Sequence, residues 1–181
     1  MTHKNKFEIK FLSTQSPNYV INELINMIYS EWKSEYNSID ELKKELFLAQ
    51  NSKSITKILY IEEIKTKNII GTASLLEEDI KMFSNLSPWL ANVYVKNQYR
   101  KEGIGSKMID YIINHAFKIG KEKIYLFTNT KTHWYLKKNW KIIKHFEHNG
   151  DQHHLMEFNI DKNQVSCVKV GARNKPICIG E

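Results

Sequence analysis

The chain is poor in cysteine, with only Cys167 and Cys178 in 181 residues, both near the C-terminus. Two cysteines cannot build a disulfide framework, so free thiols in a reducing compartment are expected. No apolar run approaches the ~20 residues of a membrane span, and the opening "MTHKNKFEIK" holds no apolar signal core. A cytoplasmic, soluble protein with no membrane partner is the expectation. No stretch is rich enough in Pro, Gly or Ser to act as a linker, and no internal repeat is present. One domain is therefore expected, of a length that can bury a substantial core. Long runs of like charge are missing too. The 27 basic and 20 acidic residues leave a net charge of +7 and a pI near 9.2. The lysines are dispersed, as on solvated faces, yet the balance still suits an anionic cofactor. Without exposed aromatics interleaved among them, these basic residues argue against a nucleic-acid module.

What is present alternates between two periodicities. "FEIKFLS" (7–13) reads as a strand, and Ile21, Leu24, Ile25, Ile28 and Trp32 recur at helical spacing over 18–32. Ser38 and Glu41 form an S-x-x-E capping box for a second helix through about Leu48. "ITKILYIEEI" and "NIIGTASLLEE" read as a hairpin joined by the polar "KTKN", and "PWLANVYV" (88–95) as a further strand. Ile104, Met108, Ile112 and Ala116, with Ile109 and Ile113 beside them, predict a helix over 104–119. A strand over 123–128 and a short helix at "HWYLKK" follow. Two strands then flank Asn149-Gly150, a strong hairpin turn signal. The order β-α-α-β-β-β-α-β-α-β-β predicts an α/β domain with a mixed sheet over 7–160, and 161–181 reads as a tail.

Between the strand at 88–95 and the helix at 104–119 lies "RKEGIGSK". Glycine costs about 1 kcal/mol relative to alanine inside a helix, so its presence here calls for a reason. A helix N-terminus offers unpaired N–H groups and partial positive charge, and glycine lets an anion approach the backbone. The Walker pattern fails for want of an upstream glycine, and the dinucleotide fingerprint fails at Met108. The pattern [QR]-x-x-G-x-[GA] is met at every fixed position by Arg100, Gly103 and Gly105.

The segment "SPWLANVYVKNQYRKEGIGSKMIDYII" resembles the central motif of the GNAT N-acetyltransferase superfamily, and "LFTNTKTHWYLKKNW" its Y-x-x-x-G-[FWY] motif. The resemblance runs from about residue 7 to 160, and "PWLANVYV" with Leu155-Met156 resembles one bacterial group of unassigned substrate. It implies a GNAT fold: a mixed central sheet with helices on both faces and a splay between the fourth and fifth strands. It also implies an acetyl-CoA-dependent transfer of an acetyl group to a primary amine, by direct attack in a ternary complex. The pantetheine would pair with the strand at Val93, Tyr94 and Val95. Backbone N–H groups across Lys101, Glu102, Gly103, Ile104, Gly105 and Ser106 would hold the pyrophosphate, with charge from Arg100 and Lys101; Asn129 completes the cofactor-binding positions.

Tyr135 matches the tyrosine that protonates the departing thiolate, with its neighbour Trp134 expected to be the core aromatic. For the base, the resemblance and the lack of a carboxylate on "PWLANVYV" leave Glu77, Glu78 or Asp79, or a water relay; Asp79 matches the bacterial group's acidic position. Asn139 stands where the family has glycine, and asparagine is the best substitute at a left-handed position. His145, His148, His153 and His154 crowd the last hairpin, with His145 opposite His154, and a solvated face is the main expectation there, ahead of a substrate-facing polar surface and a metal site. A small-molecule or peptide amine is the expected acceptor, and monomer and homodimer both stay open. The alternative is a silent acyl-CoA-binding sensor or interaction module.

Overall fold

The computed structural model describes residues 6–36 and 38–161. Cys167, Cys178 and the expected tail beyond Asp161 lie outside the described residues. Seven strands form one mixed sheet in the order β1-β2-β3-β4-β5-β7-β6. The strands are β1 (Phe7–Phe11), β2 (Lys57–Glu63), β3 (Ile69–Leu76), β4 (Trp89–Val95), β5 (Lys123–Thr128), β6 (Lys141–His148) and β7 (Asp151–Asn159). The helices are α1 (Asn18–Trp32), α2 (Ile39–Gln50), α3 (Ile104–Lys118) and α4 (Thr132–Leu136). This is the element order the periodicities imply. Short 3₁₀ turns at Lys33–Glu35, Lys81–Phe83 and Asn97–Tyr99 have too little period to be read from sequence.

The sheet is covered on both faces. Ile58 and Tyr60 of β2 pack with α1 and α2, through Leu24, Ile28, Leu42 and Leu46. The alternate residues Leu59 and Ile61 pack with Ile104, Met108, Ile112 and Ala116 of α3 on the other face. Burial on both faces explains why β2 and β3 read as nearly continuous apolar runs rather than as alternating strands. Each fully buried aliphatic side chain contributes about 1.5–3 kcal/mol relative to exposure, so the apolar stripe of α3 fixes that helix on the sheet. The capping box forms in part: the Ser38 hydroxyl accepts from the Glu41 N–H at 3.3 Å.

Turn chemistry holds the far side. Asn149 and Gly150 adopt φ of 50° and 82°, and Asn139 adopts φ 64° after α4, as its substitution for glycine implies. Expected and observed aromatics differ at α4. Trp134 is 37% exposed, whereas Tyr135 at 7% and Trp140 at 1% are the core rings. Five residues of helix bury only one position, and Tyr135 occupies it because it points to the sheet beside Trp140, their centroids 5.6 Å apart.

Gly71 of β3 sits opposite Val95 where α3 crosses the sheet. A Cβ there would lie 2.7 Å from the Tyr94 carbonyl oxygen and 3.4 Å from Met108 Cε. Backbone cannot yield as a side-chain tip can. Gly71→Ala should cost about 1–3 kcal/mol, the usual range for overpacking, read as a lowered denaturation midpoint at unchanged m-value. An unchanged midpoint would show that β4 can move without penalty.

Candidate active site

Strands β4 and β5 are parallel neighbours that pair at one position only, Trp89 with Tyr125, supported by the Tyr125 N–H to Pro88 carbonyl bond at 3.0 Å. Beyond it they diverge and leave a gap. A bulge sharpens the divergence. Thr72 pairs with Tyr94 and Ser74 with Ala91, so Asn92 and Val93 together face one residue of β3. Asn92 takes φ 53° at this bulge. Lys96 donates its N–H to Ile70 on β3, so the alternating backbone groups of Val95 and Val93 turn toward the gap. Tyr94, the residue between them, turns its backbone to β3 and its ring toward the α1 side, beside Trp32.

The gap opens onto the N-terminus of α3. Gly103 caps that helix with φ 76°, no side chain caps it, and the first intrahelical bond recorded at this end runs from the Lys107 N–H to the Gly103 carbonyl. The N–H groups of Ile104, Gly105 and Ser106 therefore lack intrahelical acceptors. Lys101 also takes a positive φ of 68°, and such alternation of dihedrals gathers N–H groups into an anion-binding concavity. Lys101 and Glu102 are exposed, and Ser106 is half-buried. Arg100 folds back, its Nε donating to the Val95 carbonyl at 2.8 Å while its guanidinium lies 5.6 Å from the Tyr94 ring. Trp134 borders this loop: a Cβ on Gly105 would meet its ring at 3.7 Å. Asn129 is exposed at the end of β5, 3.5 Å from Asp151.

Two kinds of titratable group flank the gap, on opposite faces of the sheet. On the α3 face stands Tyr135. Burial pushes its hydroxyl pKa up, keeping it protonated at neutral pH, and among the described residues the hydroxyl has no hydrogen-bond partner. On the α2 face stands a polar group that periodicity alone does not announce. Asn92 Nδ2 donates to Glu45 Oε1, Tyr36 Oη and Ser74 Oγ, each at 3.2 Å. Burial, then the charge of Asp79, raises the Glu45 carboxyl to about 8, although Tyr36 and Asn92 bond to it. Asp79 is raised to about 7 by burial and then by Glu35. Glu45 and Asp79 are each half-buried as residues, their carboxyls at the covered end. Glu77 and Glu78 are exposed.

The hairpin closes this face from the side. His148 Nε2 lies 2.9 Å from Glu35, and Asn149 reaches the same carboxylate at 3.5 Å. His145 and His154 do oppose each other, rings 4.8 Å apart, but His154 Nδ1 is taken up by the Thr132 hydroxyl at 2.9 Å. Among the described residues no three of His, Cys, Asp or Glu gather as metal ligands. No helix there is long and apolar enough to cross a membrane.

The family model for acetyltransferases of the GNAT family matches residues 20–139. The chain belongs to the GNAT acetyltransferase family. Its fold is also that of solved GNAT structures. N-acetylglutamate synthase from Neisseria gonorrhoeae, solved with coenzyme A and N-acetyl-glutamate, superposes with TM-score 0.64 at 15% identity, over 85% of this chain and 35% of that one. This GNAT chain thus spans about a third of that enzyme's length. Spermidine N-acetyltransferase from Vibrio cholerae, in complex with CoA and spermine, gives 0.60 at 20% identity, over 87% and 97% of the two chains. The yncA protein of Salmonella typhimurium, with its cofactor acetyl-CoA, gives 0.65 at 15% identity, over 87% and 96%. No curated protein sequence matches this one.

Proposed function

We propose that this protein is an acetyl-CoA-dependent N-acetyltransferase that moves an acetyl group to a primary amine within a ternary complex. The observation that carries the reading is the gap between β4 and β5, with the free N–H groups of the α3 N-terminus at one end and Tyr135 and the Glu45 group on its two faces. The residues present fit the cofactor. Val93 and Val95 turn backbone groups toward the gap for an extended amide chain, as an added strand would need, although Arg100 Nε already occupies the Val95 carbonyl. The N–H groups of Ile104, Gly105 and Ser106 suit a pyrophosphate, and a Cβ at Gly103 would meet nothing within 4 Å beyond its chain neighbours, so its outer side is open to a ligand. Arg100 and Lys101 add positive charge there, and Asn129 and Trp134 border the same opening.

Bound acetyl-CoA supplies an activated acyl carbon and a thiolate leaving group. Tyr135 holds the proton that the sulfur needs, on the α3 face. The amine enters from the α2 face, where Asp79 and Glu45 supply carboxylates able to take a proton from an ammonium group. Asp79, the acidic position read from the sequence, lies there; Glu78, its neighbour, is exposed. The neighbours solved with CoA or acetyl-CoA support the cofactor, and those solved with spermine or N-acetyl-glutamate support an amine acceptor. We place the enzyme in the cytoplasm, the compartment expected for a chain with only two cysteines.

The test is calorimetric titration with acetyl-CoA, followed by thiol release in the presence of millimolar n-butylamine, spermidine and lysine amide. Micromolar binding and amine-dependent thiol are expected. Absence of binding would overturn the reading. Tight binding without thiol from any amine would favour a silent acyl-CoA sensor.

A further inference from the structure

The proposed transfer leaves open which group takes the amine's proton, and the α2 face holds a residue that the family motifs do not mark. Glu45 projects from the middle of α2 and reaches the bulge of β4, its Oε1 bonded to Asn92 Nδ2 at 3.2 Å. Asn92 is the extra residue at the point where β4 parts from β5, so Glu45 stands one hydrogen bond from the strand lining the gap. Tyr36, 3.5 Å from both carboxylate oxygens and from Asn92 Oδ1, closes the group from the α1–α2 connection. Oε2 has no other partner among the described residues. Asp79 bonds to no described residue and reaches Glu45 through its charge alone.

We infer that Glu45 accepts the proton of the acceptor amine, positioned by Asn92 and Tyr36, while Asp79 acts on it through charge. The inference rests on the acetyltransferase reading above. Per turnover an ammonium acceptor loses two protons as its nitrogen bonds the acyl carbon and the C–S bond breaks. One leaves for solvent through Glu45. The other, also taken by Glu45, replaces the proton that Tyr135 gives to the sulfur. A carboxyl raised to about 8 sits closer than an ordinary glutamate to an amine near ~10.4, which favours the transfer. The charged and titratable groups that face it are Tyr36 from the connection, Glu41 from its own helix and Asp79 from the β3–β4 connection, with Glu35 and His148 one step further.

Glu45→Gln keeps the acceptor oxygen for Asn92 and removes only the ionisation. With the best amine of the three named, thiol release should fall ~10²–10⁴-fold, and the acidic limb of kcat should vanish. Acetyl-CoA affinity should not change. Folding provides an independent readout. The folded carboxyl is raised above its ordinary 4.5, so its stabilising contribution is complete below that pH and lost as pH rises through about 8. The variant should therefore melt higher than the wild type at pH 9, the advantage shrinking toward pH 5. Asp79→Asn should displace the acidic limb to lower pH without abolishing it, because it removes a charge that raises the Glu45 carboxyl. An unchanged limb in Glu45→Gln overturns the inference, and so does loss of the limb in Asp79→Asn alone. If the wild type releases no thiol while binding acetyl-CoA, the acetyltransferase reading itself fails, and this one with it.

Discussion

Tyr135→Phe is expected to lower turnover ~10²–10⁴-fold while leaving acetyl-CoA affinity nearly unchanged. The ring is 7% exposed and packed against Trp134 and Trp140, at centroid distances of 4.9 and 5.6 Å. Phenylalanine keeps those contacts. The hydroxyl binds no described residue, so its removal orphans no partner, and the melting temperature should hold or rise slightly. Burial alone pushes the phenol's pKa upward, which suits a group that must arrive protonated. A loss confined to kcat would mark an interaction formed in the transition state rather than in binding. Rate with the best acceptor and acetyl-CoA affinity, measured on both proteins, decide the matter. Equal rates would remove Tyr135 from the mechanism and leave it a core ring.

The legibility of this fold follows from where the sequence pattern has a single cause. In α3, Ile104, Met108, Ile112 and Ala116 are all buried against one face, so their spacing states the helix and its orientation together. Asn149-Gly150 likewise has one reading, because its positive dihedrals suit few other residues. The anion loop was legible because a glycine at φ 76° leaves a visible signature. Trp134 and Tyr135 are adjacent large aromatics, and no pattern in five residues tells which of them faces the sheet. The group around Glu45 is long-range: Tyr36, Glu45 and Asn92 come from three elements up to 56 positions apart. Faint marks exist all the same. Glu45 falls in the stripe of Leu42, Leu46 and Ala49, a charge on the buried side of its helix. Asn92 interrupts an otherwise apolar strand, which is where a bulge belongs.

Gly103→Val should separate cofactor binding from stability more sharply than any other change in the loop. Gly103 caps α3 at φ 76°, ψ 4°, a region where L-residues pay about 1–2 kcal/mol and β-branched ones more. Apart from its chain neighbours, nothing lies within 4 Å of an added Cβ, so the fold meets only the dihedral cost. The loop can escape that cost by rotating, and rotation turns the N–H groups of Ile104 and Gly105 away from their common focus. Each hydrogen bond to a charged group contributes about 1.5–3 kcal/mol. Losing two of them, in the proposed reading, weakens acetyl-CoA binding by ~3–6 kcal/mol, or ~10²–10⁴-fold. Gly105→Ala is the matched control. Its Cβ would touch Trp134 at 3.7 Å, an ordinary contact, and Gly105 shows no positive φ. That variant should keep most of its affinity. Calorimetric titration with acetyl-CoA and thermal melts, run on both variants, test the contrast. Full affinity in Gly103→Val would mean that the α3 N-terminus does not hold the pyrophosphate, whatever the gap between β4 and β5 receives.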